Sequence, residues 1–152
     1  MPSGTHHEEL NVPIIKVWDF VSDMNNWAPL VPGYINHKIL NDRESYWEFY
    51  GDIGIMRRKI KLHVTITKWE KPSKVTFDLK GENEKFTGSG YFEGIALDGA
   101  KTEMTGNLDI TATGLKAPVI NPVLTSFVPK TAKDLTKAVA NKIRETEKES
   151  MG

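Results

Sequence analysis

Apolar residues recur with a helical period close to the N-terminus. They return at positions i, i+3, i+4 and i+7, a spacing that places them on one face of an amphipathic helix. The residues concerned are Ile14, Val17, Trp18 and Val21. Pro13 suits the first turn of this helix, because the N–H that proline lacks would have no partner there. The short extended segment from His6 to Val12 is predicted to be an edge strand.

A second, much shorter helix is predicted between Asn25 and Gly33. Asparagine is a favoured N-cap residue, and Pro32-Gly33 prevents the helix from continuing. Pro29 lies inside the segment, so only a few contacts can hold it in place. Segments of this kind belong to the least stable parts of a fold and can open.

Between Gly33 and Thr113 the period changes to two. The clearest case runs from Arg58 to Glu70, where aliphatic residues alternate with polar ones, as in a strand with one buried and one solvated face. The intervening segments are too short to hold crossover helices, so neighbouring strands must be antiparallel. Six such strands follow the first one, and Asp98-Gly99 is predicted to be a two-residue type I′ turn.

The last segment, from Pro118 to Lys148, returns to the helical period. Its apolar stripe must be buried, and the alternating face of the sheet is the only large apolar surface available. The sequence therefore predicts an α+β fold in which an antiparallel sheet packs against a long C-terminal helix. Pro129 lies inside that helix and is predicted to kink or interrupt it near Thr125, because proline removes a hydrogen bond to that carbonyl.

Composition narrows the functional classes. At 152 residues the chain has the length of one domain, residues 1–152. It contains no cysteine, which excludes thiol catalysis and cysteine-bound metal sites. Twenty basic and twenty acidic side chains give a net charge of zero, which argues against nucleic acid as a partner. No apolar run has the length of a transmembrane segment and no secretory leader is visible, so a cytoplasmic location is predicted.

Three motifs resemble those of the START-like, or SRPBCC, superfamily. Residues 12–23 (VPIIKVWDFVSD) look like its first helix, residues 26–33 (NWAPLVPG) like its second helix, and residues 88–93 (GSGYFE) with 98–104 (DGAKTEM) like its last hairpin. The resemblance extends from Thr5 to Lys148, and the nearest likeness is the carbon monoxide dehydrogenase G branch. It implies the helix-grip fold, in which a curled seven-stranded sheet, in the order β-α-α-β6-α, wraps around the C-terminal helix.

The resemblance also implies a function. The expected ligand is a small hydrophobic molecule (a lipid, a quinone or a polyketide-like aromatic), and no resident cofactor is expected. One alternative is a cyclase or dehydratase, in which a single side chain, His37 or Arg57, does the acid–base work. Another is a chaperone-activator or subunit-assembly module whose protein partner binds the face carrying Arg57, Lys59 and Lys61. Peripheral contact with a membrane is a further alternative.

The predicted ligand cavity has its mouth beside the second helix and its walls on the strands and the last helix. The mouth residues are Trp27, Leu30 and Val31. The wall residues are Phe49, Leu62, Phe77, Phe92, Met104 and Leu108 on strands, with Leu124, Phe127 and Val128 on the helix. Aromatic and thioether side chains of this kind are typical of flexible apolar pockets.

The polar residues that could take part in catalysis or metal binding are explained more simply by structural roles. Adjacent strand residues point to opposite faces, so His6 and His7 do not form a metal site, and no metal is predicted. Four alternating residues of one strand should lie on a solvated face, with Glu48 and Asp78 on neighbouring strands as cross-strand partners: Arg57, Lys59, Lys61 and His63. The opposite parity, at Ile60, Leu62, Val64 and Ile66, should face the last helix. No paired carboxylates and no nucleophile motif mark a catalytic site, so no catalytic residue is assigned.

Overall fold

The computed structural model describes residues 2–53, 56–82 and 85–151, with the side chains of all of these except residues 52, 53, 56–58 and 149–151. The strands are β1 (Ser3–Leu10), β2 (Tyr34–Ile39), β3 (Glu44–Ile53), β4 (Met56–Glu70), β5 (Lys74–Gly81), β6 (Phe86–Ala96) and β7 (Thr102–Ala112). The helices are α1 (Ile14–Val21), α2 (Met24–Trp27) and α3 (Ala117–Met151), and a 3₁₀ turn (Ala28–Leu30) follows α2.

All seven strands belong to one sheet, in the order β1-β7-β6-β5-β4-β3-β2. Each neighbouring pair is antiparallel, as expected from the few residues that separate consecutive strands from β2 to β7. The sheet curls around the long helix α3, and we call the face turned toward α3 the inner face. The predicted α+β helix-grip fold is confirmed.

The alternation along β4 places its side chains as the sequence predicts. Ile60, Leu62, Val64 and Ile66 are at most 5% exposed and belong to the core. Lys59 is exposed, and Lys61 and His63 are partly exposed on the outer face. A shift of one residue would place four aliphatic side chains in water, so the register of this strand is strongly specified. The side chain of Arg57, which was predicted for the same row, lies outside the described residues.

Helix α3 is continuous from Ala117 to Met151, with Pro122 and Pro129 inside it. An interruption at Pro129 is therefore wrong, while the kink that the sequence also predicts there stays a prediction. Proline removes only one donor from the helix, and Thr125 lies on the exposed side, where water can bond its carbonyl. The turns on both sides keep their hydrogen bonds, and packing against the sheet favours a continuous helix over the local preference of proline.

Two helix starts and one turn also differ from their local sequence signals. Pro13 has extended backbone angles (φ −61°, ψ 149°) and precedes α1 as its N-cap. Asp23, not Asn25, caps α2, because its side chain accepts a hydrogen bond from the N–H of Asn25 at 3.0 Å. β6 and β7 are joined by residues 97–101, not by a two-residue turn. Gly99 lacks the positive φ that a type I′ turn requires.

Helix α3 runs close to β1 and β7 and approaches β3 at fewer points. Gly106 on β7 permits this approach, because a Cβ atom at Gly106 would collide with the hydroxyl of Thr136 on α3. Thr136 is 1% exposed, and its hydroxyl donates to the carbonyl of Ala132 at 2.6 Å. The helix therefore lies closest to the β1 and β7 side of the inner face.

We expect Gly106→Ala to lower the free energy of unfolding by about 1–3 kcal/mol, the usual cost of overpacking a core. Thr136→Ala in the same chain should recover most of this loss, because it removes the colliding hydroxyl. Urea unfolding of both single variants and the double variant measures the coupling. Gly99→Ala is the control, since a Cβ there meets no atom within 4 Å. Additive effects of the two substitutions would contradict the packing assigned to this contact.

Candidate functional site

Trp27, the last residue of α2, lies at the centre of the inner face and is only 1% exposed. Its ring centroid lies 5.1 Å from that of Trp47, 5.6 Å from that of Phe77 and 4.9 Å from that of Phe92. The contacts with Trp47 and Phe92 are edge-to-face, a favoured geometry for aromatic pairs. We call these four residues the aromatic cluster.

The polar atoms of the aromatic cluster are all hydrogen-bonded. The indole N–H of Trp27 donates to the carbonyl of Val21 at 3.0 Å. The indole N–H of Trp47 donates to the hydroxyl of Ser45 at 2.6 Å, and that hydroxyl donates to the sulfur of Met24 at 3.3 Å. Ser45 is fully buried, so this chain of bonds satisfies groups that would otherwise destabilise the interior.

The aromatic cluster lies on the middle strands, which α3 approaches less closely than β1 and β7. Trp47, Phe77 and Phe92 stand on β3, β5 and β6, and Trp27 reaches all three from α2. Gly90 on β6 makes room for Phe77, because a Cβ at Gly90 would lie 2.7 Å from two atoms of that ring. The space between the middle of the sheet and α3 is therefore lined by aromatic side chains.

The structure brings all twelve predicted ligand-binding residues into one hydrophobic cluster. Ten of them are buried, while Leu30 and Phe127 are partly exposed. The buried ten are Trp27, Val31, Phe49, Leu62, Phe77, Phe92, Met104, Leu108, Leu124 and Val128. Trp27 was predicted at the mouth of the cavity, but the structure places it in the interior.

Three residues of the site were not among those predicted: Met24, Ser45 and Trp47. The signal for Trp47 was present in the sequence, because it precedes Phe49 by two positions and shares its face of the strand. Ser45 has the same parity, but its role depends on the indole above it and on Met24 from another element. No local pattern brings those three groups together.

A depression in the surface lies beside α2. It has a volume of about 280 Å³ and is lined by Ser22, Asp23, Met24, Asn25, Ile39, Asn41, Asp42 and Trp69. Met24 forms part of its wall and also accepts the hydrogen bond from Ser45. The depression is therefore separated from the aromatic cluster by few side chains, on the side where the sequence predicts the mouth.

His37, the histidine that the sequence offers for an acid–base role, lies on the inner side of the edge strand β2. It pairs in register with Trp47, and paired residues of neighbouring strands point to the same face. Its Nδ1 lies 2.6 Å from the hydroxyl of Tyr34, and its Nε2 lies 2.7 Å from Oδ1 of Asn25 on α2.

The other histidines have structural partners. His63 on the outer face lies 3.4 Å from Glu44. His6 and His7 point to opposite faces, where His6 contacts Glu8 at 3.4 Å and His7 contacts the hydroxyl of Thr105 at 2.8 Å. Within the described part of the chain, no group of three or more histidine, aspartate or glutamate side chains could hold a metal ion.

The outer face of β4 carries paired charges. The ammonium group of Lys59 lies 3.3 Å from the carboxylate of Glu48 on β3, which is the cross-strand partner that the sequence predicts. Surface pairs of this kind contribute at most about 1 kcal/mol to stability. The face is therefore a solvated surface of paired charges as far as its side chains are described.

None of the helices described is both long enough and apolar enough to span a bilayer.

A comparison with curated protein sequences found no significant match. Among solved structures, a START superfamily protein from Mycobacterium smegmatis is 16% identical, with a TM-score of 0.75 over 95% of this chain and 98% of that chain. The Zhui aromatase/cyclase from Streptomyces sp. R1128 is 14% identical, with a TM-score of 0.72 over 94% and 93%. A norcoclaurine synthase from Thalictrum flavum is 10% identical, with a TM-score of 0.67 over 95% of both chains.

At these identities the similarity shows the fold and not the activity. A protein-family model also matches residues 1–146, which is nearly the whole chain. Together with the strand order, the curled sheet and the long C-terminal helix, this match places the chain in the START-like, or SRPBCC, superfamily.

Proposed function

We propose that the protein binds a small hydrophobic molecule, such as a lipid, a quinone or a polyketide-like aromatic, between the sheet and α3. One observation carries the proposal. The middle of the inner face is covered by a single large side chain, Trp27, supplied by a helix of four residues. Trp27 is the removable part of this interior, and an apolar ligand would take its place among the aromatic rings.

The energetics of α2 support this view. Isolated helices of fewer than about 12 residues are marginal in water, so α2 depends on the contacts of Trp27 and on its cap at Asp23. Displacement of Trp27 exposes its own apolar surface, but a ligand of similar size restores the burial on the inner face. The exchange therefore requires only a local opening of the kind that short, weakly held segments undergo.

The surface depression beside α2 supports an entrance at this point. Met24 is 4% exposed and stands between the depression and Ser45. A movement of α2 that withdraws Trp27 also withdraws Met24, since the two residues belong to the same helical turn. Opening of the interior and opening of the entrance are then one motion.

The cyclase or dehydratase alternative has one observation in its favour. It needs a titratable group beside the ligand, and His37 lies on the inner side of β2 opposite Trp47. This alternative would be tested by turnover of an aromatic polyketide panel, with His37→Ala as the variant that abolishes it.

The remaining sequence predictions gain no separate support. The protein-partner alternative depends on a face where Lys59 is already paired with Glu48. Membership in the carbon monoxide dehydrogenase G branch depends on the helix and hairpin motifs of the sequence and stays a proposal.

We expect Trp27→Leu to bind N-phenyl-1-naphthylamine at least ten-fold more tightly than the unmodified protein. Removal of the indole raises the fraction of molecules whose interior can accept a ligand. The apparent affinity increases in proportion to that fraction. The variant should also lose stability, though less than the roughly 3–5 kcal/mol of a tryptophan-to-alanine change. Fluorescence titration and urea unfolding measure the two effects.

Trp18→Leu is the matched control for this prediction. Trp18 is 7% exposed and packs edge-to-face on Trp69 at 6.3 Å, and among the described residues it makes no ring contact with the aromatic cluster. It should lose stability without any gain in probe affinity. An equal gain in the two variants would show that the probe reports general loosening, and the assignment of Trp27 would be wrong.

We expect Leu124→Trp to reduce probe binding more strongly than it lowers the melting temperature. Leu124 is 1% exposed on α3, and a larger side chain there would enter the space that a ligand uses. In a close-packed interior the same change costs about 1–3 kcal/mol through strain. Leu135→Trp on the same helix is the control that should retain binding. A large loss of melting temperature, with no probe bound by either protein, would show that this interior is ordinary core.

A further inference from the structure

Three polar side chains form a hydrogen-bonded chain where α2 meets the edge of the sheet. The hydroxyl of Tyr34 lies 2.6 Å from Nδ1 of His37, and Nε2 of His37 lies 2.7 Å from Oδ1 of Asn25. Both distances are at the short end of the range for such bonds. Tyr34 and His37 are partly buried, so water does not fully replace these contacts.

An irregularity in β2 turns both Tyr34 and His37 toward the inner face. Residues three apart on a regular strand point to opposite faces. The register of β2 against β3 shifts between Tyr34 and Asn36, so that Tyr34 pairs with Phe49 and His37 pairs with Trp47. Phe49 and Trp47 are buried residues of the inner face. Bulges commonly redirect a side chain in this way, and here the effect is to put Tyr34 on the same face of the sheet as Phe49 and His37.

The bond to Asn25 determines which atom of the chain donates. A carbonyl oxygen can only accept, so Nε2 of His37 carries the proton and Nδ1 of the neutral ring has a free lone pair. The Tyr34 hydroxyl therefore donates to Nδ1. Its own oxygen keeps the capacity to accept a hydrogen bond, while its single proton is already used.

We propose that the Tyr34 oxygen is the polar contact for the ligand, and that the ligand is an apolar molecule carrying a hydroxyl group, a phenol or an alcohol. This inference rests on the proposed ligand-binding function and names the ligand class. A hydroxyl group of the ligand donates to the Tyr34 oxygen and so extends the series of hydrogen bonds that begins at Asn25. A carbonyl group brings a second acceptor to an oxygen that has no proton to offer, and one of the two is left without a hydrogen bond once the ligand excludes water. Sites that pair a ligand hydroxyl discriminate strongly against analogues without it.

The experiment compares three probes of nearly equal shape: 2-naphthol, naphthalene and 1,4-naphthoquinone. Each displaces N-phenyl-1-naphthylamine in a fluorescence titration at pH 8, at the upper end of the range in which histidine ordinarily titrates. The absence of cysteine means that no thiol captures the quinone. We expect 2-naphthol to bind at least ten-fold more tightly than either of the others.

Tyr34→Phe keeps the ring and removes the oxygen. It should reduce the affinity for 2-naphthol to that for naphthalene and leave naphthalene binding unchanged. Tyr46→Phe is the matched control, because Tyr46 lies on the outer face of β3, opposite His63 in register, and should leave the preference intact. A role of Tyr34 in stability alone would lower the affinities for all three probes together.

The other possible results of the probe comparison also test the proposed contact with Tyr34. Equal binding of the three probes to the unmodified protein overturns the polar contact and leaves the proposed ligand-binding function standing, whether or not Tyr34→Phe folds. A preference for the quinone overturns it as well, since it would mean that the Asn25 amide donates and the chain runs in the opposite direction. If neither the unmodified protein nor Trp27→Leu binds N-phenyl-1-naphthylamine, the ligand-binding function itself fails and this inference fails with it.

Discussion

The close packing of α3 against β1 and β7 determines what the rest of the molecule must do. Gly106 allows the helix to approach the sheet at Thr136, and the long apolar stripe of α3 is buried at that side. A curled sheet of seven strands is wider than one helix, so α3 lies closer to β1 and β7 than to the middle strands. The aromatic cluster lies on the middle strands, and α2 exists in its present place because Trp27 is part of it.

The cluster is more than a collection of large apolar groups. Two indole N–H groups lie in the interior, and each needs an acceptor at a fixed position. Val21 supplies one at the end of α1, and Ser45 supplies the other on β3. These bonds fix the orientation of each ring, so the interior has one arrangement in this structure. A site that opens and closes between defined arrangements is better suited to selective binding than an interior that merely tolerates an apolar guest.

Much of the fold was readable from the sequence because its signals are periodic. The alternation in β4 gave the buried and solvated faces correctly, and the helical period gave α3 nearly its full length. The predictions that failed were local ones. Pro129 and Asp98-Gly99 carry strong preferences of their own, but packing of α3 and the pairing of β6 with β7 overcame them. Tertiary contacts outweigh the preference of a single residue when a whole element is buried.

The candidate site was predictable as a set of residues and not as an arrangement. Parity identified Phe77 and Phe92 as interior residues, and the same rule could have added Trp47. It could not place Trp27 at the centre, because that position depends on where α2 crosses the sheet. It could not place Tyr34 on the same face as His37 either, since the irregularity between Tyr34 and Asn36 reverses the face that simple counting assigns to Tyr34.

The four tryptophans of the chain fall into two edge-to-face pairs, Trp27 with Trp47 and Trp18 with Trp69. Indole transitions at such separations couple, and coupled rings produce paired bands in circular dichroism. One pair lies at the interior that we propose to open and the other lies against α1. Withdrawal of α2 would uncouple the first pair and leave the second in place as an internal reference. Circular dichroism could therefore follow this motion without any added label.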